Sequence, residues 1–395
     1  MESKRRIVER KVVKEFLAFA FLCFPVLSFA FPCSLWSKSA GVTAAPVLTI
    51  PLGARAAGMG GAFTAVADDL YAIHFNPAGL SLLDQKEFSG MFLKEFEDTS
   101  LGFLGYAHPM GFPGLSGQGG ATLAFGSVFL DTGKIEINRT YPDGTFRDRR
   151  TLRAGSDMVL NLAYAEKISE GNFSDFLDIG DQSLGLGVKW VRSTLAEEYT
   201  ASAFALDAGY LAQSSERNWR LGVSLANLGN KLKFIEQGDP LPLLLRLGGA
   251  CRIFQEEFHQ VWMAADANLL VREEDIKARI GGEYRFQDIL SLRIGYQFLE
   301  DVAGMTAGFG IRRGQLSFDY AWMLFTELQD AHRVSVTYRF GGRPAKVSVP
   351  RRRKVLLHEE EPLPGIDAFP EPNTKPQEDR EPEYKDIQPT IPGWE

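Results

Sequence analysis

Between Lys86 and Phe340 the chain repeats one pattern: segments of roughly eight to twelve residues in which every second side chain is apolar or aromatic. Leu290, Leu292, Ile294, Tyr296 and Phe298 alternate with Ser291, Arg293, Gly295 and Gln297. Ile276, Ala278, Ile280, Gly282 and Tyr284 alternate with Lys277, Arg279, Gly281, Glu283 and Arg285. Leu184, Leu186, Val188 and Trp190 alternate with Gly185, Gly187 and Lys189. A two-residue period puts one set of side chains on each face of a β-strand and rules out a helix of period 3.6.

Alternation alone fits both a soluble sandwich, with its apolar face in the core, and a barrel whose apolar face meets lipid. Length and number separate the two. Eight to twelve residues is long for a sandwich strand and right for a tilted strand that crosses a bilayer. About fourteen segments can be laid out, from Glu87–Lys94 and Ser100–Ala107, through Met158–Lys167 and Leu184–Thr194, to Gln315–Leu324 and Arg333–Phe340. That number is even, as a bacterial barrel requires. Trp190, Trp219, Tyr284, Tyr296, Trp322 and Tyr338 fall near segment ends, where interfacial girdles form. The reading is an all-β chain: a transmembrane antiparallel β-barrel of about 14 strands, residues 86–340. With the N-terminus in the periplasm, every second link should be short. Gln287–Ile289 and Arg313-Gly314 obey this, whereas His108 to Gly120 and Ile168 to Ser183 are too long.

The N-terminus carries Lys4, Arg5, Arg6, Arg10, Lys11 and Lys14, followed by an apolar run from Phe16 to Phe31. That run is short for a spanning helix, contains Pro25, and ends near Ser28-Phe29-Ala30, which has small residues at the positions a signal peptidase reads. Residues 1–30 are therefore expected to be a cleaved signal peptide rather than an anchor helix, and the chain to be exported to the cell outer membrane. Three cysteines, one of them in that leader, make no disulfide framework. A net charge of −7 gives no electrostatic footprint for nucleic acid.

Residues 31–85 form a glycine- and alanine-rich stretch before the first strand. Within it stand Gly53-Ala54-Arg55, Gly58-Met59-Gly60-Gly61-Ala62-Phe63, Ala67-Asp68-Asp69 and Asn76-Pro77-Ala78-Gly79-Leu80. This run, in this order, closely resembles the N-terminal region of the PorV/PorQ family, within the wider FadL-like (OMPP1/FadL/TodX-type) group of outer-membrane proteins. Asn227-Leu228-Gly229 is also similar to the family. The resemblance implies a fourteen-stranded barrel with an N-terminal plug segment that closes or gates the lumen. It implies one of two roles: passive transport of hydrophobic small molecules such as fatty acids, or service as an accessory of type IX protein secretion that binds exported cargo. Arg55, Asp68, Asp69, Asn76 and Pro77 are the plug candidates, and their residue types also suit turns and caps.

The face opposite the apolar one carries charge. Lys189, Arg246, Arg279, Glu283 and Arg293 are the lumenal candidates; they either pair with one another and with the plug or attract a carboxylate headgroup. No P-loop, dinucleotide fingerprint or nucleophile elbow is present, and the five histidines stand singly. No enzyme activity, metal or cofactor is expected; the expected partners are outer-membrane lipid, a hydrophobic ligand, and a periplasmic or secretion partner. After Phe340 the composition changes: residues 341–395 hold half of the chain's 20 prolines, a basic run at Arg351-Arg352-Arg353-Lys354 and Glu359-Glu360-Glu361. This stretch is expected to be a disordered periplasmic tail. Transport is the leading expectation. A continuous apolar pocket beside the plug would favour it; a binding surface on the outer loops, above all Asp131 to Arg153, would favour secretion. A filled lumen would favour a structural protein with a closed plug.

Overall fold

A computed structural model describes residues 41–94, 98–117, 120–169, 179–298, 304–325 and 330–342. The expected signal peptide and Cys33, and the tail from 343 onward, lie outside the described residues.

Among the described residues eighteen strands follow in chain order. The first nine are β1 (Gln85–Lys94), β2 (Ser100–Pro113), β3 (Gly120–Asp131), β4 (Lys134–Thr140), β5 (Phe146–Arg153), β6 (Gly155–Ser169), β7 (Ile179–Leu195), β8 (Tyr199–Ser214) and β9 (Trp219–Gly229). The rest are β10 (Leu232–Lys233), β11 (Gly238–Asp239), β12 (Leu244–Gln255), β13 (His259–Leu270), β14 (Asp275–Phe286), β15 (Leu290–Phe298), β16 (Gly304–Arg313), β17 (Leu316–Phe325) and β18 (Ala331–Gly342). Fourteen of them close into one antiparallel barrel, with β1 paired to both β2 and β18. Phe88 of β1 lies between Tyr338 and Tyr106, so the seam between first and last strands is as regular as the rest of the wall. Closure matters physically because a sheet edge in hydrocarbon would leave backbone groups unpaired.

The alternation sorts as the two-residue period requires. Phe88, Phe92, Leu104, Phe125, Leu162, Leu186, Phe204 and Ile294 point outward and are exposed, making the lipid-facing belt. Outward aromatics collect at both ends: Tyr284 and Tyr338 near the short turns, Tyr296 and Trp322 near the other rim. Phe340 stacks on Tyr338 and, across the seam, on Tyr106, with ring centroids 5.4 and 6.4 Å apart.

The early strands run longer than the sequence pattern suggests, which shortens the two links that looked too long. β2 continues to Pro113 after a register shift that follows Pro109, and β6 and β7 extend to Ser169 and back to Ile179. Prolines at 109 and 113 interrupt the ladder locally, and so resemble a turn when read by composition. Two links at the rim opposite the short turns carry strands of their own: β4 with β5 between β3 and β6, and β10 with β11 between β9 and β12. The first is a hairpin of 20 residues, Lys134 to Arg153. This end is called the loop rim below, and the other the turn rim.

The inner face is not uniformly polar. Near the loop rim Leu93, Leu101, Phe103, Leu130, Val159 and Val191 are buried, and they belong to one apolar cluster with Val47, Leu48, Leu52 and Ile73. The segment from 47 to 83 thus lies inside the barrel, while Gly41 and Val42 before it are exposed. Regular structure from 41 to 83 amounts to short helical turns at Pro46–Leu48, Ala54–Gly58, Ala72–Phe75 and Pro77–Leu82. Residues 56–67 are all buried.

Candidate functional site

An irregular backbone inside a barrel needs partners for its N–H and C=O groups, and the wall side chains supply them. Asp266 accepts from the amides of Phe63 and Thr64 at 2.9 and 2.8 Å, Glu87 from Leu70 at 2.9 Å, and Ser335 from Ala54 at 2.8 Å. In the other direction, Asn161 donates to the Ile73 carbonyl at 3.0 Å, Gln297 to Gly60 at 3.1 Å, Arg220 to Val66 at 3.1 Å, and Arg333 to Pro51. These contacts come from six strands around the circumference. The lumenal segment is held by polar wall residues in every direction, so they serve as its hydrogen-bonding surroundings.

Against this background one cluster is distinctive. Arg55, on the turn Ala54–Gly58, reaches the wall and two carboxylates of its own segment at once. Its Nε and Nη2 donate to the two oxygens of Glu283 at 2.9 and 3.0 Å, a bidentate pair. Its Nη1 donates to Asp68 at 2.5 Å and to Asp69 at 3.0 Å. Glu283 also accepts from Arg293 Nε and Arg285 Nε, both at 2.8 Å, and Arg293 continues to Asp319 at 2.7 Å. Asp68 passes the chain of charges to Arg220 of β9 at 3.1 Å. Arg55 lies over the Phe63 ring at 5.1 Å and Arg220 over the Trp262 ring at 5.0 Å. The network therefore ties β17, β15 and β14 through the lumenal segment to β9. It borders a cavity of about 140 Å³ near the turn rim, lined also by Ser291, Arg312, Ser317 and Arg339.

The electrostatics of the two segment carboxylates differ. Burial pushes Asp68 up, but Arg55 and Arg220 outweigh it and hold the carboxyl well below the usual range. Asp69 is pushed up to about 6, chiefly by burial and with help from the Glu87 and Asp68 carboxylates, against the pull of Arg55.

Of the ten candidates from the sequence, Arg55, Asp68, Asp69, Glu283 and Arg293 come together here. The other five act elsewhere. Asn76 caps the turn Pro77–Leu82: its Oδ1 accepts from the Ala78 amide at 3.2 Å, and its Nδ2 donates to the carbonyls of Thr64 and Tyr210 at 3.1 and 3.0 Å. Pro77 is the first residue of that turn. Lys189 is buried against Asp207 at 2.6 Å and Asn227 at 2.7 Å. Arg246 donates to the carbonyls of His74 and Phe75 at 3.0 and 3.3 Å. Arg279 packs under Gly61, where a β-carbon would come within 2.9 Å of its guanidinium. Glu87, which orders the Leu70 amide and receives Arg339, escaped notice among the candidates although it shares a face with Ser89 and Met91.

Asn76 gives a direct test of this reading. Asn76→Ala removes one cap and two donors to buried carbonyls, and should cost about 2–4 kcal/mol. Asn76→Asp keeps the cap and loses the donors, so its effect should be intermediate. The temperature at which the compact, fast-migrating gel form is lost measures both; an unchanged value for Asn76→Ala would refute the assignment.

Comparison with known proteins gives three findings. The family described as type IX secretion system protein PorV matches residues 36–274. No curated protein matches the chain. Among solved structures, the toluene transporter TbuX of Ralstonia pickettii is 13% identical with a TM-score of 0.49, covering 73% of this chain and 98% of its own. The toluene transporter TodX of Pseudomonas putida is 12% identical, TM-score 0.49, covering 73% and 97%. A FadL homologue of Pseudomonas aeruginosa is 11% identical, TM-score 0.40, covering 72% and 97%.

Proposed function

The chain belongs to the PorV family, and on that premise we propose that this outer-membrane barrel serves protein secretion by presenting its loop rim to exported cargo, with residues 47–83 acting as a standing plug. The observation that carries the proposal is the contrast between its two ends of function. A segment hydrogen-bonded around the circumference stands in the lumen, which supports reading it as a plug. The hairpin β4–β5, in contrast, projects with Tyr141 and Phe146 more than half exposed among Arg147, Arg149 and Arg150. Aromatic and arginine side chains together suit protein recognition. The proposal places the loop rim outside the cell, removes residues 1–30 on export, and leaves the tail beyond 341 in the periplasm.

The test replaces residues 134–153 with a short Gly/Asn turn in the native host. The barrel should still show its compact gel form, while secreted cargo should fall at least tenfold in the medium. Normal secretion by the shortened protein would overturn the proposal.

Transport of a hydrophobic small molecule is the second reading, and one feature favours it. A narrow apolar niche of about 20 Å³ lies between Leu48, Leu52 and Ile73 of the plug and Phe103 and Val159 of the wall, with Lys189 and Asn161 at its polar side. This reading requires the plug to move aside and widen the niche. Uptake of a radiolabelled long-chain fatty acid that disappears on gene deletion, with secretion intact, would establish transport as the function.

A further inference from the structure

The outward face of β2, β3, β6 and β7 changes character abruptly near the loop rim. Ser100, Asp131, Ser156 and Thr194 lie side by side in register and are polar. The next outward row toward the turn rim is Gly102, Phe129, Met158 and Arg192. Leu104, Leu160 and Trp190 follow in the row after that. The boundary of the apolar belt therefore runs between the first two rows, and Arg192 sits just inside it, on the lipid side.

A groove of about 460 Å³ opens at this boundary. Its floor is Phe129, Met158 and the bare backbone of Gly102, where a side chain would find open space. Its rim carries the hydroxyls of Ser100, Ser156 and Thr194, and Arg153 from the base of the hairpin β4–β5. Asp131 and Asp157 also line it, and Asp131 pairs with Arg153 at 3.2 Å. Arg192, by contrast, is exposed and has no ion-pair partner among the described residues. A guanidinium placed at the edge of hydrocarbon without a paired carboxylate is costly unless its head reaches the interface, where water and lipid phosphates lie.

The geometry points to a binding site for a phosphorylated lipid of the outer leaflet, with the phosphate on Arg192 and the rim hydroxyls and an acyl chain over Phe129 and Met158. The occupant is argued from continuity: the floor is an extension of the lipid-facing belt, so a ligand reaches it from within the membrane. A phosphate ester offers the planar guanidinium two acceptor oxygens and still has acceptors left for hydroxyl donors. The proposal rests on the placement of the loop rim outside the cell and is independent of the secretion role.

The test uses the full-length protein in detergent, titrated with bisphosphorylated lipid A and with the same lipid after enzymatic dephosphorylation, and bound lipid is counted by native mass spectrometry. The wild type should retain the phosphorylated form at least roughly tenfold more tightly than the dephosphorylated one. Arg192→Glu should abolish that preference, while Lys233→Glu, on the separate small hairpin β10–β11, should leave it intact. Equal retention of both lipids by the wild type would mean that only the greasy belt binds, and would overturn the site. So would an undiminished preference in Arg192→Glu, or an equal loss in Lys233→Glu, which would reduce the effect to overall charge. The compact gel form of each variant confirms that a folded barrel is being compared.

Discussion

Glu283→Ala should release the lumenal segment and raise the current the barrel carries above that of the wild type. The carboxylate is fully buried and accepts from Arg55, Arg285 and Arg293 together. Removing it leaves three guanidiniums facing one another with Asp68, Asp69 and Asp319 as the remaining counter-charges nearby. Breaking one side of a buried ion-pair network costs about 3–5 kcal/mol, because the remaining charges stay desolvated. The barrel wall, closed by its ladder hydrogen bonds, does not depend on this contact. The cost therefore falls on the seating of the segment. Arg55 offers a direct readout: it is the single lysine or arginine between residues 41 and 85, so trypsin can cut the segment there and nowhere else. The wild type should resist; Glu283→Ala should be cleaved after Arg55 and should carry more current than the wild type across a planar bilayer. Arg285→Ala, whose side chain is 22% exposed and partly screened by water, should stay resistant. A folded Glu283→Ala barrel that neither conducts more than the wild type nor is cut would refute the idea that this network is the latch.

The wall of this molecule was legible in the sequence because both of its faces are chemically demanding. Lipid on one side and a polar lumen on the other force the two-residue period through every spanning strand, and each of the fourteen expected segments overlaps a barrel strand. The hairpin β4–β5 was missed for the converse reason. Water meets both its faces, so Lys134–Thr140 and Phe146–Arg153 need no apolar side and show none. Parity alone placed Glu283 and Arg293 inward. That they converge on Arg55, Asp68 and Asp69 was not readable, since the path of an irregular segment has no period to follow. Read as simply polar, the inner face also hid the apolar patch of Leu101, Phe103 and Val159. That patch is inward by parity and gains its meaning only from Val47 and Leu52 packed on it.

Several wall glycines are seats for the lumenal backbone, a role that the alternating pattern does not show. A β-carbon on Gly295 would lie 2.1 Å from the Gly60 nitrogen and 2.3 Å from the Met59 carbonyl carbon; on Gly281 it would lie 2.3 Å from the Met59 oxygen. Those neighbours are backbone and cannot turn aside. Gly60 in turn has a φ of +66°, the left-handed region that suits glycine, and faces the Ile280 oxygen and Tyr296 nitrogen. At this point two backbones touch with no side chain between them, which fixes the depth and rotation of the segment more tightly than apolar packing could.

Gly295→Val should accordingly unseat the segment without opening the wall, at a cost of about 3 kcal/mol or more. Gly282→Val is the matched control. It is one residue from Gly281 but faces outward, where a β-carbon meets nothing closer than 3.8 Å, and a branched residue suits that strand surface. Trypsin should cut Gly295→Val after Arg55 and leave Gly282→Val intact. The comparison with Glu283→Ala then separates two kinds of closure. Repulsion among exposed-on-release guanidiniums is screened by salt, so raising ionic strength should restore part of the trypsin resistance of Glu283→Ala. A steric clash between backbones is indifferent to salt, so Gly295→Val should stay equally sensitive from low to high salt. If both variants respond to salt alike, charge is what holds the segment and the glycine seat is incidental; if neither does, shape holds it and the ion pairs only fill the space that shape defines.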